Sequence, residues 1–344
     1  MKKILILIGT LFLISCNKQE NGINIENLNF TIQSRYGTHY ITGYEIPFKA
    51  TDSHGNDITS SVKFYINGTK IPGSTYLFDR VGYYMITAQW NLGGGTIKES
   101  QNRIEALVTN PRNETFVLLE DFTGTWCVNC PRVHYKIDQL LHQHDHVYAI
   151  AIHDRGHQTD PFHFEKVSEL TQTYQISGYP TALINRKDVW NEENSSVEQY
   201  LQRTQALGLK IENTFNNNTL NISVKVRFDM DLKNEHYKLV VYALENNLHA
   251  DQANSTDYYG GQDPIPGMEH NHVLRHAFTQ VLGDEIPASQ CHFDNEFTWH
   301  FSGDLPSNIA DPAHVEIIAF VVEGNDRPRV INSKKTKINS SADY

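Results

Sequence analysis

Cysteine is scarce in this sequence: the chain of 344 residues has four, at positions 16, 127, 130 and 291. Only one Cys-x-x-Cys pair is present, so a closed four-ligand zinc site would need scattered histidines to complete it. No metal site and no other cofactor is therefore expected. The pair Cys127 and Cys130 remains as a candidate for redox chemistry, a structural disulfide or half of a zinc site.

Basic residues are outnumbered by acidic ones. Lys and Arg together number 29 against 40 Asp and Glu, which gives a formal net charge of −11 and, without Lys2 and Lys3, of −13. The sequence also contains no basic run. Proteins that bind nucleic acid neutralise phosphates with clustered Lys and Arg. The composition therefore argues against nucleic acid as a partner.

Long apolar runs are missing except at the N-terminus. The run Ile4–Ile14 is interrupted only by Gly9 and Thr10 and follows Lys2 and Lys3. It is too short to cross a bilayer as a helix, which takes roughly 20 residues. Its length and its basic flank instead predict a signal peptide.

The apolar run ends in the sequence LISC at residues 13–16. This order resembles the bacterial lipobox, in which cleavage leaves a cysteine as the first residue and acyl chains are attached to it. The alternative is a plain signal peptide followed by a chance cysteine. The resemblance implies cleavage of residues 1–15, lipidation of Cys16, a lipidated linker over 16–22 and a membrane anchor. Asn17, rather than Asp, favours the outer membrane of the cell envelope.

The sequence around the cysteine pair predicts a strand, a turn and a helix. Phe116–Phe122 is an apolar run typical of a buried central strand, and Thr-Gly-Thr at 123–125 breaks it. Apolar residues then recur with helical spacing through Val128–His144. Pro131 fits a first helical turn because it lacks the N–H that would have no partner there. Cys127 is therefore expected where a helix begins.

This placement predicts different roles for the two thiols. The helix dipole and the free N–H groups of a first turn stabilise a thiolate, so Cys127 is predicted to attack first. Cys130 could then attack the mixed disulfide at Cys127 and release the partner in reduced form. Export of the protein from the cytosol would suit this thiol-disulfide exchange, since disulfides persist in the envelope. The expected partners are exported proteins with thiols or disulfides.

The segment DFTGTWCVNCP at 121–131 resembles the active-site segment of the thioredoxin superfamily, and GYPTALI at 178–184 resembles its cis-proline loop and following strand. The resemblance implies that Pro180 is a cis-proline facing the pair and that Tyr179, with Trp126, lines the substrate groove. It also implies that Asp121 is a buried acid assisting proton transfer. A trans turn proline and a structural aspartate are the alternatives. Val128-Asn129 replaces the Gly-Pro of the best-known member, which leaves the direction of electron flow open.

Three domains are predicted after the leader. Short strands separated by turn residues predict an immunoglobulin-like β-sandwich over 23–108. A linker at 110–113 leads into a thioredoxin-like α/β domain over 113–207. From residue 208 apolar residues recur at every second position, as in strands with one buried face. This pattern predicts a C-terminal β-sandwich over 208–344. The predicted fold class is therefore multidomain, α/β plus all-β. The predicted strands of the first domain are Phe30–Gln33, Ile46–Thr51, Val62–Asn67, Tyr83–Trp90 and Ile104–Val108.

Other polar residues are expected to be structural. His153 and Asp154 end a predicted strand and could help proton transfer, but solvated loop positions are favoured. The histidines of the segment HNHVLRH, at 270, 272 and 276, lack acidic or thiol partners at metal-ligand spacing. Cys291 has no motif around it and is predicted to be a lone buried or weakly exposed thiol rather than a third redox centre.

The lipobox, the cysteine motif and the segments YALE and HNHVLR together resemble the outer-membrane-protein-28-related family of envelope lipoproteins, from about Asn110 to the C-terminus. Two functions are therefore expected as alternatives. The first is thiol-disulfide exchange on exported proteins, with Cys127, Cys130, Asp121 and Pro180 in the site. The second is a surface binding or adhesion lipoprotein that uses the thioredoxin-like domain as a scaffold.

Overall fold

The computed structural model describes residues 28–156, 159–233 and 235–344. This part of the chain is mostly β-sheet, with 24 strands and three α-helices. None of the helices in these ranges has the length and apolar character that a membrane crossing requires. The predicted signal peptide, the lipidation site Cys16 and the linker 16–22 lie outside the described residues.

Two β-sheets form the N-terminal part of the structure. Their strands are β1 (Phe30–Ser34), β2 (His39–Ile41), β3 (Glu45–Asp52), β4 (Val62–Ile66), β5 (Thr69–Lys70), β6 (Thr75–Leu77), β7 (Gly82–Gly93), β8 (Thr96–Glu99) and β9 (Ile104–Thr109). One sheet has the order β1-β3-β6, and the other has the order β2-β9-β7-β4-β5 with β8 beside β7. All five predicted strands are present. The strands that were not predicted, β2, β5, β6 and β8, are too short to show an alternating pattern.

The two sheets pack face to face through one side of each strand. In β7, Ile86 and Ala88 are fully buried, whereas Met85 before them is exposed and Thr87 between them is half-buried, an alternation typical of a strand with one buried face. Phe48 of β3 stacks on Phe64 of β4 with 5.8 Å between ring centroids, which joins the two layers. The N-terminal region is therefore a two-layer β structure.

The central part is an α/β unit that carries the cysteine pair. It contains β10 (Val117–Thr123), α1 (Cys130–Gln143), β11 (Val147–His153), α2 (Val167–Tyr174), β12 (Thr181–Ile184), β13 (Asp188–Val189) and α3 (Asn194–Leu201). Strand β10 is buried along its whole length, as its apolar sequence predicted. It pairs in parallel with β11 and antiparallel with β12. Helices α1 and α3 pack on one face of this sheet and α2 on the other.

Helix α1 begins later than the sequence predicted. The N–H of Cys127 donates to the carbonyl oxygen of Gly124 at 3.0 Å, and the N–H of Cys130 donates to that of Cys127 at 3.2 Å. Residues 124–129 therefore form turns, and Cys130 is the first helical residue, with Pro131 in the first turn. The expectation that Cys127 starts the helix is wrong, because these turn hydrogen bonds place it just before the helix.

The central sheet continues into the C-terminal part of the chain. Its further strands are β16 (Tyr237–Glu245), β19 (Val273–Ala277), β20 (Asp284–Ile286), β22 (Val315–Glu323) and β23 (Arg329–Lys337). The order is β13-β12-β10-β11-β19-β16-β22-β23, with β20 on β16. Pairing of Ala151 with Val273 covers the edge that β11 would otherwise expose. The predicted boundary at 207/208 thus marks a change in the spacing of apolar residues along the sequence. It does not separate two independent sheets.

A second sheet packs against this extension. It consists of β14 (Leu207–Asn216), β15 (Thr219–Phe228), β21 (Glu296–Asp304) and β24 (Ser341–Ala342), in the order β21-β15-β14-β24. The alternation predicted for 220–228 is the burial pattern of β15. Strand β22 is buried on both faces, between this sheet and the α/β core. The C-terminal region is therefore a β-sandwich that shares one layer with the α/β unit.

One hairpin departs from this layered arrangement. Strands β17 (Leu248–Gln252) and β18 (Ile265–His270) pair only with each other within the described chain. They lie in a polar segment, residues 246–270, that is rich in Gly and Pro. The residues after β17 reach the turn that carries the cysteines, so this hairpin belongs to the candidate site.

Candidate redox site

The two cysteines of the motif are joined in a disulfide at the junction of β10 and α1. The Sγ atoms of Cys127 and Cys130 are 2.05 Å apart, and the Cα atoms are 5.4 Å apart. Val128 and Asn129 between them are exposed to solvent. The structure therefore holds the pair in its oxidised form, with the connecting dipeptide at the surface.

Both cysteines are nevertheless buried. Cys130 is 0% exposed and Cys127 is 4% exposed. A partner disulfide could not reach the sulfur of Cys127 in this arrangement without some displacement of the surrounding chain. The sequence could not predict this burial, because the residues responsible come from the β17–β18 hairpin.

A segment of that hairpin covers the cysteine turn. The N–H of Ala253 donates to the carbonyl oxygen of Thr125, and the N–H of Ser255 donates to that of Val128, both at 2.8 Å. The buried side chain of Gln252 donates to the carbonyl oxygens of Cys127 at 3.0 Å and Gly124 at 3.3 Å. We call residues 252–255 the cap. It lies along the cysteine turn and satisfies carbonyl groups that would otherwise need water.

The residues of the predicted substrate groove come together beside the disulfide turn. The peptide bond between Tyr179 and Pro180 is cis, the isomer that the resemblance implied. Trp126 and Tyr179 meet edge to face with 5.4 Å between ring centroids. Both rings also bond to Asp154: Trp126 Nε1 donates to its carbonyl oxygen and the Tyr179 hydroxyl donates to its carboxylate, each at 2.6 Å. Asp154 therefore fixes this aromatic pair, a role that its expected position in a solvated loop did not suggest.

Two glycines make room for Trp126. A Cβ on Gly124 would lie 2.5 Å from the indole Nε1, and one on Gly156 would lie 2.6 Å from the ring. Gly156 also has a φ of +54°, which disfavours other residues. The indole is thus held between two backbone segments, and its orientation beside the cysteine turn is fixed.

Asp121 lies in β10 on the face that α1 covers, and it is almost fully buried. Its Oδ2 atom is 3.3 Å from Nε2 of His134. That nitrogen is also 3.0 Å from the hydroxyl of Thr123. Within the described chain neither oxygen of Asp121 has a hydrogen bond of normal geometry. The acid therefore has His134, one helical turn after Cys130, as its nearest polar neighbour.

Two further histidines extend this buried polar cluster. His153 Nδ1 is 3.0 Å from Oδ2 of Asp160, and both side chains are inaccessible to solvent. The ring of His270 lies 5.4 Å from that of His153 and 5.8 Å from that of His134, measured between centroids. Burial and the two neighbouring histidines lower the pKa of His270 to about 3. His270 is therefore a neutral ring beside the redox site.

Sequence reasoning missed most of this cluster. His134 and Asp160 were not singled out, and His153 and His270 were assigned to structural roles. The spacing of His134 from Cys130, four residues along a predicted helix, was a usable signal, because such residues share a helix face. His270 joins the cluster because the β17–β18 hairpin folds against the α/β unit. No local sequence pattern predicts where this hairpin lies.

The other candidate residues lie apart from the disulfide. His272 pairs with Glu316 rather than with His270, and burial lowers the pKa of His276. No group of His, Cys, Asp or Glu in the described ranges is arranged to hold a metal ion. Cys291 is buried and free, and burial raises its pKa to about 12.

Comparison with known proteins establishes the family. The family Outer membrane protein Omp28 matches residues 167–342, about half of the chain. The chain belongs to the Omp28 family. Membership in Omp28 agrees with the location predicted from the leader, the outer membrane of the cell envelope.

Solved structures give further similarities for this Omp28 chain, whereas no curated protein matches it. HBP35 of Porphyromonas gingivalis is 17% identical, with 67% of this chain and 77% of that chain covered and a TM-score of 0.55. A domain of the outer membrane lipoprotein Omp28 from the same organism is 18% identical, with 39% and 89% covered and a TM-score of 0.25. The first similarity indicates a shared fold over two thirds of the chain.

Proposed function

We propose that this Omp28 protein exchanges disulfides with exported proteins through Cys127 and Cys130. The observation that carries the proposal is the buried Cys127–Cys130 disulfide at a strand-to-helix turn, with Trp126 and Tyr179 packed beside it. The order of β10, α1, β11 and α2, followed by a cis-proline and the antiparallel strand β12, supports a thioredoxin-like centre. The envelope location supplies partners that contain disulfides.

The exchange needs only the two sulfurs and a proton acceptor. In the reduced protein, the thiolate of Cys127 attacks a partner disulfide, forms a mixed disulfide and releases one partner sulfur as a thiolate. Cys130 then loses its proton, attacks the Cys127 sulfur and breaks the mixed disulfide, so that the second partner sulfur leaves as a thiolate. The partner gains two electrons and the Cys127–Cys130 bond forms. The reverse sequence oxidises a partner dithiol.

The start of α1 supports the asymmetry between the thiols. Cys127 lies in the turn that leads into the first helical residues, where free N–H groups and the helix dipole favour an anion. Cys130 is the first residue of the helix and is completely buried, whereas Cys127 keeps a small exposed fraction next to the exposed Val128. We therefore assign attack to Cys127 and resolution to Cys130.

Trapping tests this assignment directly. Cys130→Ser in cells should accumulate mixed disulfides between Cys127 and envelope proteins, because the resolving thiol is absent. Cys127→Ser should trap almost nothing, and the double variant serves as the blank. Non-reducing electrophoresis of the purified protein, with and without a reductant, shows the adducts. Equal, background-level adducts in all three strains would sink the oxidoreductase proposal.

One observation favours the alternative, a surface binding or adhesion lipoprotein. Large apolar side chains of the N-terminal sheets are exposed, and Tyr83 is 83% accessible. The others are Leu77, Val81, Met85 and Ile97. Exposed apolar surface of this kind marks interaction sites. A Tyr83→Ser, Met85→Ser variant that lost an envelope partner while Cys130→Ser trapped nothing would favour this function.

A further inference from the structure

The resolution step needs a route for a proton out of the buried site. This argument rests on the proposed function, in which Cys130 must lose its proton before it attacks Cys127. Cys130 is 0% exposed, and Asp121, the acid of β10 that contacts His134, is 1% exposed. A proton accepted by Asp121 therefore cannot pass directly to bulk water, and another group must carry it.

His134 stands between Asp121 and the surface. It follows Cys130 by one helical turn, so both residues project from the same side of α1. Its Nε2 atom is 3.3 Å from Asp121 Oδ2, and its side chain is 12% exposed. A neutral imidazole can accept a proton at one nitrogen and release another from the second. His134 thus has the position and the chemistry of a relay.

A cavity of about 40 Å³ continues the route beyond these two side chains. It lies between α1, β11 and β18, and its volume admits about three or four waters at roughly 10–15 Å³ each. Its ionisable wall groups are Asp121 from β10, His134 and Asp138 from α1, His270 and Glu269 from β18, and His272 from the turn after it. Because Glu269 is exposed, the polar wall reaches the surface.

The wall offers polar atoms that suit ordered water. Asp121 Oδ1 and Oδ2 and both ring nitrogens of His270 lack a hydrogen-bond partner of normal geometry among the described residues. The charge of Asp160 and the Ala250 backbone favour the charged form of His270, but burial and the neighbouring histidines outweigh both and lower its pKa. Buried polar groups of this kind usually bind water in a cavity of sufficient size. Asp138, whose pKa burial raises, adds a further exchangeable group.

We propose that His134 is a proton-relay residue, which passes the proton of Cys130 from Asp121 to solvent through water in the cavity behind α1. During resolution the Cys130 proton moves to the carboxylate of Asp121, and the Cys130 thiolate forms the S–S bond with Cys127 as the partner leaves as a thiolate. The proton then moves from Asp121 through His134 and the cavity water to solvent. When the disulfide is reduced, the same route returns the proton.

Two-phase release of the chromophore from the disulfide reagent DTNB separates attack from resolution. In the reduced full-length protein, Cys127 attack releases the first thiolate, and Cys130 resolution releases the second. His134→Leu should leave the first phase unchanged and slow the second at least about tenfold, less than the roughly 10²–10⁴-fold effect of a direct general base. The second phase should also lose part of its pH dependence. His142→Leu is the matched control, because His142 bonds its own helix carbonyl at Asp138.

Chemical rescue distinguishes a relay from a structural role. Added imidazole should restore the second phase of His134→Ala and leave the His142→Leu protein unaffected. A second phase with wild-type rate and pH profile in His134→Leu would overturn the relay and leave the oxidoreductase proposal intact. A decrease in the second-phase rate that is equal at every pH and that imidazole does not reverse would also overturn the relay role of His134. Absence of both phases in the wild type would instead contradict the proposed function.

Discussion

Ala253 donates its backbone N–H to the carbonyl oxygen of Thr125 over 2.8 Å, and this bond ties a hairpin of the C-terminal region to the turn that carries Cys127 and Cys130. The N–H of Ser255 bonds Val128 and the side chain of Gln252 bonds Cys127 in the same turn. Access to the disulfide therefore depends on a segment that is distant in sequence. The cap therefore connects the C-terminal β-sandwich to the cysteine turn of the α/β unit.

Loss of the Gln252 side chain should expose Cys127. In Gln252→Ala the bonds to the carbonyl oxygens of Gly124 and Cys127 disappear, which weakens the cap by about 1–2 kcal/mol. We expect iodoacetamide to modify Cys127 of the reduced variant about tenfold faster than in the wild type, since about 1.4 kcal/mol corresponds to a factor of ten. Quenched alkylation read by mass spectrometry measures the rate.

The matched control for the cap is His249→Ala. His249 lies in the same hairpin, but its ring contacts Gly267 and Asn247 rather than the cysteine turn. Its alkylation rate should equal that of the wild type. Similar acceleration in both variants would show that any weakening of the hairpin opens the site, and unchanged rates in both would exclude the cap as the barrier.

The sequence was sufficient where the site is contiguous. The strand before Cys127 and the Pro131 position in the first turn were accessible, because a few neighbouring residues determine each of them. The cis peptide at Pro180 was implied only by the resemblance to the thioredoxin superfamily. The buried strand β10 was equally clear from its apolar run. Local patterns thus predicted the core of the α/β unit and the place of the disulfide within it.

The sequence was insufficient where distant segments meet. Gln252 bonds a carbonyl 125 residues away, and no local pattern marks it as part of the site. Pairing of Ala151 with Val273 joins two predicted domains in one sheet, which neither strand reveals alone. The short strands β2, β5, β6 and β8 were missed for another reason, since two to four residues are too few to show an alternating pattern. These features depend on tertiary contacts and on loop geometry.

Cys291 should take no part in turnover. It is buried, and burial raises its pKa to about 12, so it remains a thiol at neutral pH. Cys291→Ser should therefore reduce insulin disulfides at the wild-type rate, as followed by turbidity. A loss of activity with an unchanged melting temperature would mean that a third thiol completes the cycle.

The buried pair Arg186 and Glu120 should stabilise the join between the α/β unit and the extended sheet. The guanidinium donates two bonds of 2.8 Å to Glu120 and a third of 3.1 Å to the hydroxyl of Tyr242. Arg186→Met would leave the carboxylate buried without its partner, so we expect a loss of roughly 3–5 kcal/mol in the free energy of unfolding. Urea denaturation followed by tryptophan fluorescence measures this change.

A double variant separates the pair from simple packing. Glu120→Gln in the Arg186→Met background removes the isolated charge and should recover part of the lost stability. The exposed pair Arg103 and Glu105 is the comparison, because Arg103→Met should change the unfolding free energy by less than about 1 kcal/mol. If the double variant recovered no stability, the lower free energy of unfolding of Arg186→Met would be due to cavity formation instead.

Stability in acid should depend on Glu316, which ties the turn after the β17–β18 hairpin to the sheet. Burial alone would raise its pKa, but the hydrogen bond from His272 and the charge of Lys335 outweigh burial and lower the pKa from 4.5 to about 2. A depressed carboxyl pKa stabilises the fold above pH 4.5, and this contribution is lost as the pH falls towards 2. The shift corresponds to about 3 kcal/mol at 1.36 kcal/mol per pKa unit.

Glu316→Gln should therefore unfold more easily at pH 6, and its unfolding free energy should fall less than that of the wild type between pH 4.5 and pH 2. Urea titrations across this range measure the difference, with Glu105→Gln as the exposed control, and parallel curves for wild type and Glu316→Gln would rule out this linkage.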